Sequence, residues 1–201
     1  MKIRVKLQNG LIFDMDLHFD KTLVMNYKSE SQKIRVMSEN WMKRYMFCPN
    51  CGLNHINKYP NNQPVADFFC ESCGEIFELK SKKHIGKKIV DGAYNTAIAR
   101  ITSSTNPDLF ILQYANYEIN NLEIIPKYFF IPDIIERRKP LSNTARRAGW
   151  VGSNILYFNI PVQGKIAIIK DRIPLEKDEV VENYKQKNSF KQKILRVEVG
   201  F

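Results

Sequence analysis

The chain has 201 residues, with 31 lysines and arginines against 21 aspartates and glutamates, which gives a net charge of +10. Hydrophobic residues make up 44% and aromatic residues 11%, which excludes disorder over most of the chain. No apolar run approaches the roughly 20 residues of a membrane span, and the start lacks the apolar stretch of a secretory signal. We therefore expect a soluble, cytoplasmic protein whose charge favours a polyanionic partner such as nucleic acid.

Local patterns define the first two elements. Alternating apolar and polar residues on both sides of Asn9-Gly10 predict an N-terminal β-hairpin. A helix is predicted from Ser29, which together with Gln32 indicates a capping box. The apolar face of this helix consists of Ile34, Met37, Trp41 and Tyr45.

The four cysteines form two CxxC pairs separated by 18 residues, namely Cys48 with Cys51 and Cys70 with Cys73. This spacing is typical of a zinc ribbon, in which each pair contacts one side of a tetrahedral ion. Gly52 and Gly74 follow the pairs and relieve the tight turns. The alternatives are two disulfides or four unrelated thiols, but nothing in the sequence indicates an oxidising compartment. We expect structural zinc, because four thiolates leave no position for a catalytic water.

The cysteine pairs are connected by a polar loop at 53–63 and a short buried strand at 65–69. A second strand at 75–82 follows, so the zinc ion is expected at the tip of a hairpin.

The remaining chain alternates strands and helices. The spacing of Ile89, Ala93, Ala97 and Ile101 predicts a helix over 87–103. The later predicted elements are strands at 109–114 and 122–125, a basic turn-forming segment at 137–150, strands at 155–160 and 165–169, a helix at 175–187 and a strand at 194–199. This order predicts an α/β fold with a mixed β-sheet flanked by helices.

A possible reaction centre lies on the two strands of the zinc hairpin. The period of two places Glu78 and Lys80 on one strand face, and Asp67 lies on the preceding strand between apolar neighbours, where a buried carboxylate needs a cation. Asp67, Glu78 and the carbonyl of Leu79 could hold magnesium, with Lys80 beside an attacking water; Glu39 on the first helix is a further candidate carboxylate. Phosphodiester hydrolysis needs these parts. The alternative is a surface strand with a weak Glu78–Lys80 ion pair, in which Asp67 caps a turn.

Five blocks of the sequence resemble the DpnI family of methyl-directed type IIM restriction endonucleases, within the PD-(D/E)xK nuclease superfamily. They are CPNCG at 48–52, NNQPVADFFC at 61–70, FELKSKK at 77–83, DGAY at 91–94 and RKPLSNTARRAGW at 138–150. The resemblance implies a PD-(D/E)xK nuclease core with an embedded four-cysteine zinc knuckle. It also implies magnesium-dependent cleavage of double-stranded DNA at GATC sites with methylated adenine, with Asp67, Glu78 and Lys80 as the catalytic residues.

The same resemblance implies which residues approach the DNA. Trp150 matches the family tryptophan that contacts the adenine methyl groups, and Arg146 and Arg147 would reach phosphates or guanine edges. Lys82 and Lys83 continue the catalytic strand and are expected to bind DNA as well. On composition alone, Trp150 is interpreted as a core aromatic residue and the two arginines as part of a solvated turn.

Three segments are expected: an N-terminal hairpin extension at 1–16, an endonuclease domain at 17–183 and a basic C-terminal segment at 184–201. The family continues into a winged-helix domain that also reads methylated GATC, so we expect a catalytic domain without this second reader, either on its own or as part of a longer protein. Two other hypotheses stay open. One is a nuclease of the same chemistry without methyl dependence, and the other is a non-catalytic zinc-ribbon module that binds nucleic acid.

Overall fold

The structure, a computed structural model, describes residues 2–6, 12–60 and 66–198. Its helices are α1 (Glu30–Tyr45), α2 (Tyr94–Ile101) and α3 (Lys177–Glu198). Its strands are β1 (Lys2–Lys6), β2 (Ile12–Asp16), β3 (Asn57–Lys58), β4 (Phe68–Phe69), β5 (Ile76–Lys82), β6 (Ile89–Ala93), β7 (Asp108–Ala115), β8 (Glu118–Ile125), β9 (Ile135–Arg137), β10 (Gly152–Ile155), β11 (Ile166–Lys170) and β12 (Ile173–Pro174).

A seven-stranded sheet has the order β12-β11-β8-β7-β5-β4-β3. Strands β5 and β7 run parallel, whereas the other neighbours in this sheet are antiparallel, which confirms the predicted mixed α/β class. A second sheet has the order β6-β10-β9, and β1 pairs with β2 as the predicted N-terminal hairpin. The Asn9-Gly10 turn itself lies outside the described residues.

The central strand β7 is buried on both faces, which explains its nearly continuous apolar sequence. Phe110 and Leu112 belong to one core cluster together with Met37 of α1. Leu109 and Ile111 belong to a second cluster, which includes Ile89 of β6 and Ala97 of α2. Helix α1 therefore covers one face of the large sheet, and the three-stranded sheet with α2 covers the other.

The helix predicted over 87–103 is wrong in its first half, because β6 occupies Ile89–Ala93 and α2 begins only at Tyr94. Ile89 and Ala97 both reach the same apolar cluster, but they do so from different elements. Pairing with β10, some 60 residues later in the chain, fixes the extended conformation and overrides the local periodicity.

The predicted strand at 155–160 is also wrong, because β10 ends at Ile155 and a 3-10 turn follows at Tyr157–Asn159. The strand predicted at 194–199 is replaced by the continuation of α3 to Glu198. The preceding residues 185–193 are rich in lysine and glutamine, whose straight side chains lose little freedom in a helix, and the helix continues beyond them.

Smaller differences occur around α1 and the β4–β5 hairpin. Ser29 is the N-cap of α1, but its side chain makes no capping bond and lies instead 2.9 Å from the Ser31 hydroxyl, so the predicted capping box is absent. The predicted polar loop contains β3, which adds an edge strand next to β4. The predicted strand at 65–69 is reduced to Phe68–Phe69, and Val65 lies outside the described residues. In the described part of the chain, every helix is too short or too polar to cross a lipid bilayer.

Candidate functional site

The four cysteine sulfurs converge at the tip of the β4–β5 hairpin. Sγ of Cys48 lies 3.6 Å from Sγ of Cys73, and Sγ of Cys51 lies 3.5 Å from Sγ of Cys70. All four sulfurs lie within 4.8 Å of one another. Four thiolates around a tetrahedral zinc ion, with Zn–S bonds of about 2.3 Å, would be about 3.8 Å apart. The cluster therefore fits a structural zinc ion, and all four thiols are free rather than joined in disulfides.

The two cysteine turns have the same backbone design. Gly52 N–H donates to the carbonyl of Cys48 at 2.8 Å, and Gly74 N–H donates to the carbonyl of Cys70 at 2.9 Å. Both glycines have a positive φ, +79° and +72°, which other residues adopt only with strain. The predicted role of these glycines in the turns is confirmed.

Burial separates the thiols in their acidity. Desolvation raises the pKa of Cys48 and of Cys73 above its usual range. Desolvation opposes ionisation of Cys51 too, but the Leu53 N–H and the neighbouring thiols outweigh it and lower the pKa of Cys51 to about 7. A divalent cation would deprotonate the remaining thiols, since thiolates are the binding species.

The second group of predicted site residues lies along β5. Glu78 and Lys80 share the face of the neighbouring Leu109 and Ile111 of β7, as the period of two predicts. Asp67 precedes β4, and its N–H donates to the carbonyl of Phe77 at 2.9 Å.

The Asp67 carboxylate is fixed across the hairpin. Its Oδ2 accepts a hydrogen bond of 2.8 Å from the backbone N–H of Leu79, which lies between Glu78 and Lys80. The sequence spacing thus brings all three predicted catalytic side chains to one place.

Negative charge accumulates around Asp67. Burial raises the pKa of this carboxyl above its usual range, and the carboxylates of Glu78 and Glu39 add to the effect, against the Leu79 N–H and Lys80. A half-buried carboxylate beside two others is stabilised by a cation. The donor set, which consists of carboxylate and backbone oxygens, suits a hard divalent ion such as magnesium.

Glu39 of α1 reaches the same region but already has two cationic partners. It is 4% exposed, and its carboxylate contacts Arg35 Nε and Lys58 Nζ, each at 2.7 Å. In this arrangement Glu39 balances the two cations, and it would have to exchange one of them to become a metal ligand.

Lys80 contacts an acid that the sequence analysis missed. Its Nζ lies 2.5 Å from Glu78 Oε1 and 2.7 Å from Asp91 Oδ1. Asp91 is the central residue of β6, which sequence reasoning placed in a helix. The nearest sequence signal was the DGAY block, which begins at Asp91.

Two grooves meet at these residues. The larger, of about 700 Å³, lies on the α1 side and is bordered by Asp67, Glu78, Lys80 and Lys83. The smaller, of about 290 Å³, lies on the β6–α2 side and is bordered by the same three site residues together with Asp91. The site residues therefore form a ridge between two open channels, where an extended substrate could lie across them.

The predicted DNA-contacting residues are distributed over two surfaces. Lys82 is half-buried at the end of β5, where burial and the nearby Lys80 lower its pKa. The exposed Lys83 borders the larger groove, whereas Arg146 and Arg147 are exposed around a separate depression next to Leu141.

Trp150 is half-buried on the three-stranded sheet and is therefore not a fully buried core residue. The Arg147 guanidinium lies 4.5 Å from the centroid of the indole. The next residue, Val151, accepts a hydrogen bond from the N–H of Tyr94 at 3.1 Å, so Trp150 is attached close to the β6–α2 junction.

A sequence model of the DpnI, Dam-replacing family matches residues 15–193. The matched region includes the four cysteines, the residues of the ridge and the segment that ends at Trp150. Since the match covers far more than half of the chain, the protein belongs to the DpnI, Dam-replacing family.

Proposed function

We propose that this protein is a magnesium-dependent type II restriction endonuclease that hydrolyses double-stranded DNA at GATC sites with methylated adenine. Membership of the DpnI family supports a methylation-dependent, restriction-type function. The observation that carries the enzymatic part is the hydrogen bond from Leu79 N–H to Asp67 Oδ2, which holds the carboxylate between Glu78 and Lys80.

The architecture supports a PD-(D/E)xK core. Asp67 directly precedes β4, Glu78 and Lys80 lie on the antiparallel neighbour β5, and β5 belongs to a mixed sheet covered by α1. In this proposal the endonuclease domain spans 17–183, preceded by the hairpin extension at 1–16 and followed by the basic segment at 184–201. Helix α3 runs continuously from the domain into this last segment.

Two metals belong to the proposal. Asp67, Glu78 and the Leu79 carbonyl would hold magnesium, and the four cysteines would hold zinc as a structural ion. When bound, magnesium lowers the pKa of a water molecule and neutralises charge that develops on the phosphate.

The protein's own residues provide position and charge. The Leu79 N–H keeps Asp67 in one orientation, so that its Oδ1 faces no competing hydrogen-bond partner in the described part of the chain. Lys80 would supply a positive charge beside the scissile phosphate and orient the nucleophilic water. In-line attack by this water would leave a 5′ phosphate.

DNA recognition would use the second sheet and its loop. The half-buried indole of Trp150 suits apolar contact with methyl groups in the major groove. Arg146, Arg147, Lys82 and Lys83 would neutralise phosphates on either side of the cut.

The proposal is tested by digesting one plasmid prepared from adenine-methylating and from non-methylating hosts, with added magnesium. We expect cutting of the methylated plasmid alone. Equal cutting of both plasmids would favour a nuclease without methyl dependence, and salt-sensitive binding without any cutting would favour a non-catalytic zinc-ribbon module. The first result would contradict the methyl dependence, and the second would contradict the nuclease activity.

A further inference from the structure

The Lys80 side chain contacts residues of two different sheets. It extends from β5 of the seven-stranded sheet, yet one of its two carboxylate partners, Asp91, lies on β6 of the three-stranded sheet. The side chains of Lys80 and Asp91 are 20% and 18% exposed, whereas that of Glu78 is 37% exposed. The contact with Asp91 is therefore the more shielded of the two and the less screened by water.

Glu78 has two incompatible tasks in the proposed reaction. In the structure its Oε1 lies 2.5 Å from Lys80 Nζ. A carboxylate that turns its oxygens toward a divalent cation gives up part of its contact with an ammonium group, because the two cations repel each other. Lys80 then needs another anion to keep its position.

The backbone of Asp91 is held by contacts that do not depend on Glu78. Its neighbour Gly92 accepts a hydrogen bond of 3.0 Å from the Ser153 hydroxyl of β10, and Ala93 pairs with Gly152. The backbone that carries Asp91 is thus held by an adjacent strand rather than by a loop. Three carboxylates, of Asp67, Glu78 and Asp91, also balance the charges of one ammonium and one divalent ion.

We propose that Asp91 is a positioning residue that holds the Lys80 ammonium at the reaction centre when Glu78 turns to the metal. This inference rests on the proposed function, because it assigns Asp91 a role in the same reaction. Asp91 acts through Lys80 and needs no contact with the DNA.

The test compares Asp91→Asn, Asp91→Glu, Lys80→Ala and the double variant Asp91→Asn/Lys80→Ala with the full-length wild type. Asp171→Asn is the matched control, because it removes the same charge from an exposed turn with positive φ that asparagine tolerates. Three quantities are measured: the single-turnover cleavage rate of a methylated GATC duplex in magnesium, the Kd for this duplex in calcium, and the thermal unfolding midpoint without added metal.

We expect Asp91→Asn to lower the cleavage rate about 100-fold, as for a misplaced catalytic group, with Kd and the unfolding midpoint close to those of Asp171→Asn. Asp91→Glu should recover part of the rate. In the Lys80→Ala background, Asp91→Asn should cause no further loss, since its effect passes through Lys80. If Asp91→Asn unfolds at the assay temperature, Asp91→Glu is compared with the wild type instead. We expect this variant to have an intermediate cleavage rate and an unchanged Kd.

Three results would overturn the inference while the proposed function stands: a wild-type rate for Asp91→Asn, a rate loss matched by an equal loss of affinity, or an additional loss in the Lys80→Ala background. A wild-type protein that cuts no duplex would overturn the proposed function, and the role of Asp91 with it.

Discussion

Lys80 is expected to be needed for cleavage much more than for DNA binding. It is half-buried between carboxylates, so it contributes charge at one point of the ridge rather than a broad DNA-binding surface. We predict that Lys80→Ala lowers the cleavage rate by at least about 100-fold, the cost of removing one group that stabilises charge in a transition state. DNA affinity in calcium should be largely retained.

This prediction is measured by single-turnover cleavage together with filter binding. Lys170→Ala, which removes an exposed lysine at the end of β11, serves as the control. A Lys80→Ala protein that cleaves at the rate of the control would refute the assigned role.

The position of Trp150 depends on a glycine. A methyl group added to Gly152 would lie 2.8 Å from two carbons of the indole, too close for any side chain, so Gly152 leaves the space in which the ring lies. We predict that Gly152→Ala displaces Trp150 and reduces the preference for methylated over unmethylated DNA.

The preference is measured as the ratio of cleavage rates on the two substrates. Gly86→Ala is the control, because a methyl group there meets no atom within 4 Å. Trp150→Ala should reproduce the effect of Gly152→Ala. An unchanged ratio in both variants would exclude Trp150 as the methyl reader.

At the scale of elements, the cysteine cluster supports α3 as well as the β4–β5 hairpin. Lys177 of α3 is 7% exposed, and its Nζ donates to Asn54 Oδ1 at 2.6 Å, just beyond the first cysteine turn. A methyl group at Gly52 would touch Lys177 and Val181, so this turn packs directly against the helix. Loss of the metal should therefore loosen both elements.

We predict that Cys70→Ser, or a zinc-selective chelator in magnesium buffer, lowers the thermal unfolding midpoint by at least about 5 °C. In a chain of this size 1 kcal/mol corresponds to roughly 2–4 °C, and loss of a structural metal costs more than that. Circular dichroism and the zinc content by mass spectrometry measure the effect. Protein that contains no zinc and is insensitive to the chelator would contradict the assignment.

A buried carboxyl joins β7 to α3. Asp108 is fully buried; its Oδ2 accepts a hydrogen bond from the Tyr184 hydroxyl and its Oδ1 accepts one from Lys127 N–H at 2.8 Å. Desolvation and the nearby Glu75 raise the pKa of Asp108 to about 7, against the opposing hydrogen bonds. The folded protein therefore keeps a proton on this group that the unfolded chain has already released above about pH 4.

The stability that Asp108 contributes is complete below the pKa of the unfolded chain and is lost as the pH rises through about 7. We predict that the free energy of unfolding of the wild type falls by up to about 1.4 kcal/mol per pH unit more steeply than that of Asp108→Asn between pH 5 and 7. Urea unfolding at several pH values measures both slopes. Parallel slopes would show that Asp108 ionises normally.

Elements with a local signal could be predicted from the sequence, and those that depend on distant partners could not. The β7–β8 pair follows from two apolar runs and the chain reversal between them. Strand β6 was missed because its apolar spacing also fits a helix, and only its pairing with the distant β10 decides between the two.

The same rule applies to the site. Asp67 comes directly before β4, and Glu78 and Lys80 lie on the next strand, β5, so the sequence spacing indicated that they meet. Asp91 and the cationic partners of Glu39 come from other elements, and only packing reveals these contacts.

At the scale of the whole molecule, two grooves meet at one ridge, and the cysteine cluster and the half-buried tryptophan lie on different elements. The net charge of +10 is consistent with a polyanion that lies across both grooves. In the proposed function the half-buried Lys80 and the expected metal share the carboxylates of the ridge, an arrangement that DNA binding alone would not need.

The proposed cleavage of methylated GATC is tested most directly with three synthetic duplexes that contain one GATC site, methylated on both strands, on one strand or on neither. Wild type and Lys80→Ala are incubated with each duplex in magnesium, and the products are resolved by length and by the group on their new 5′ ends. We predict that the wild type cuts the fully methylated duplex fastest and leaves 5′ phosphates, and that Lys80→Ala lacks this activity. A wild-type protein that cuts none of the duplexes, or a Lys80→Ala protein that cuts as fast as the wild type, would contradict it.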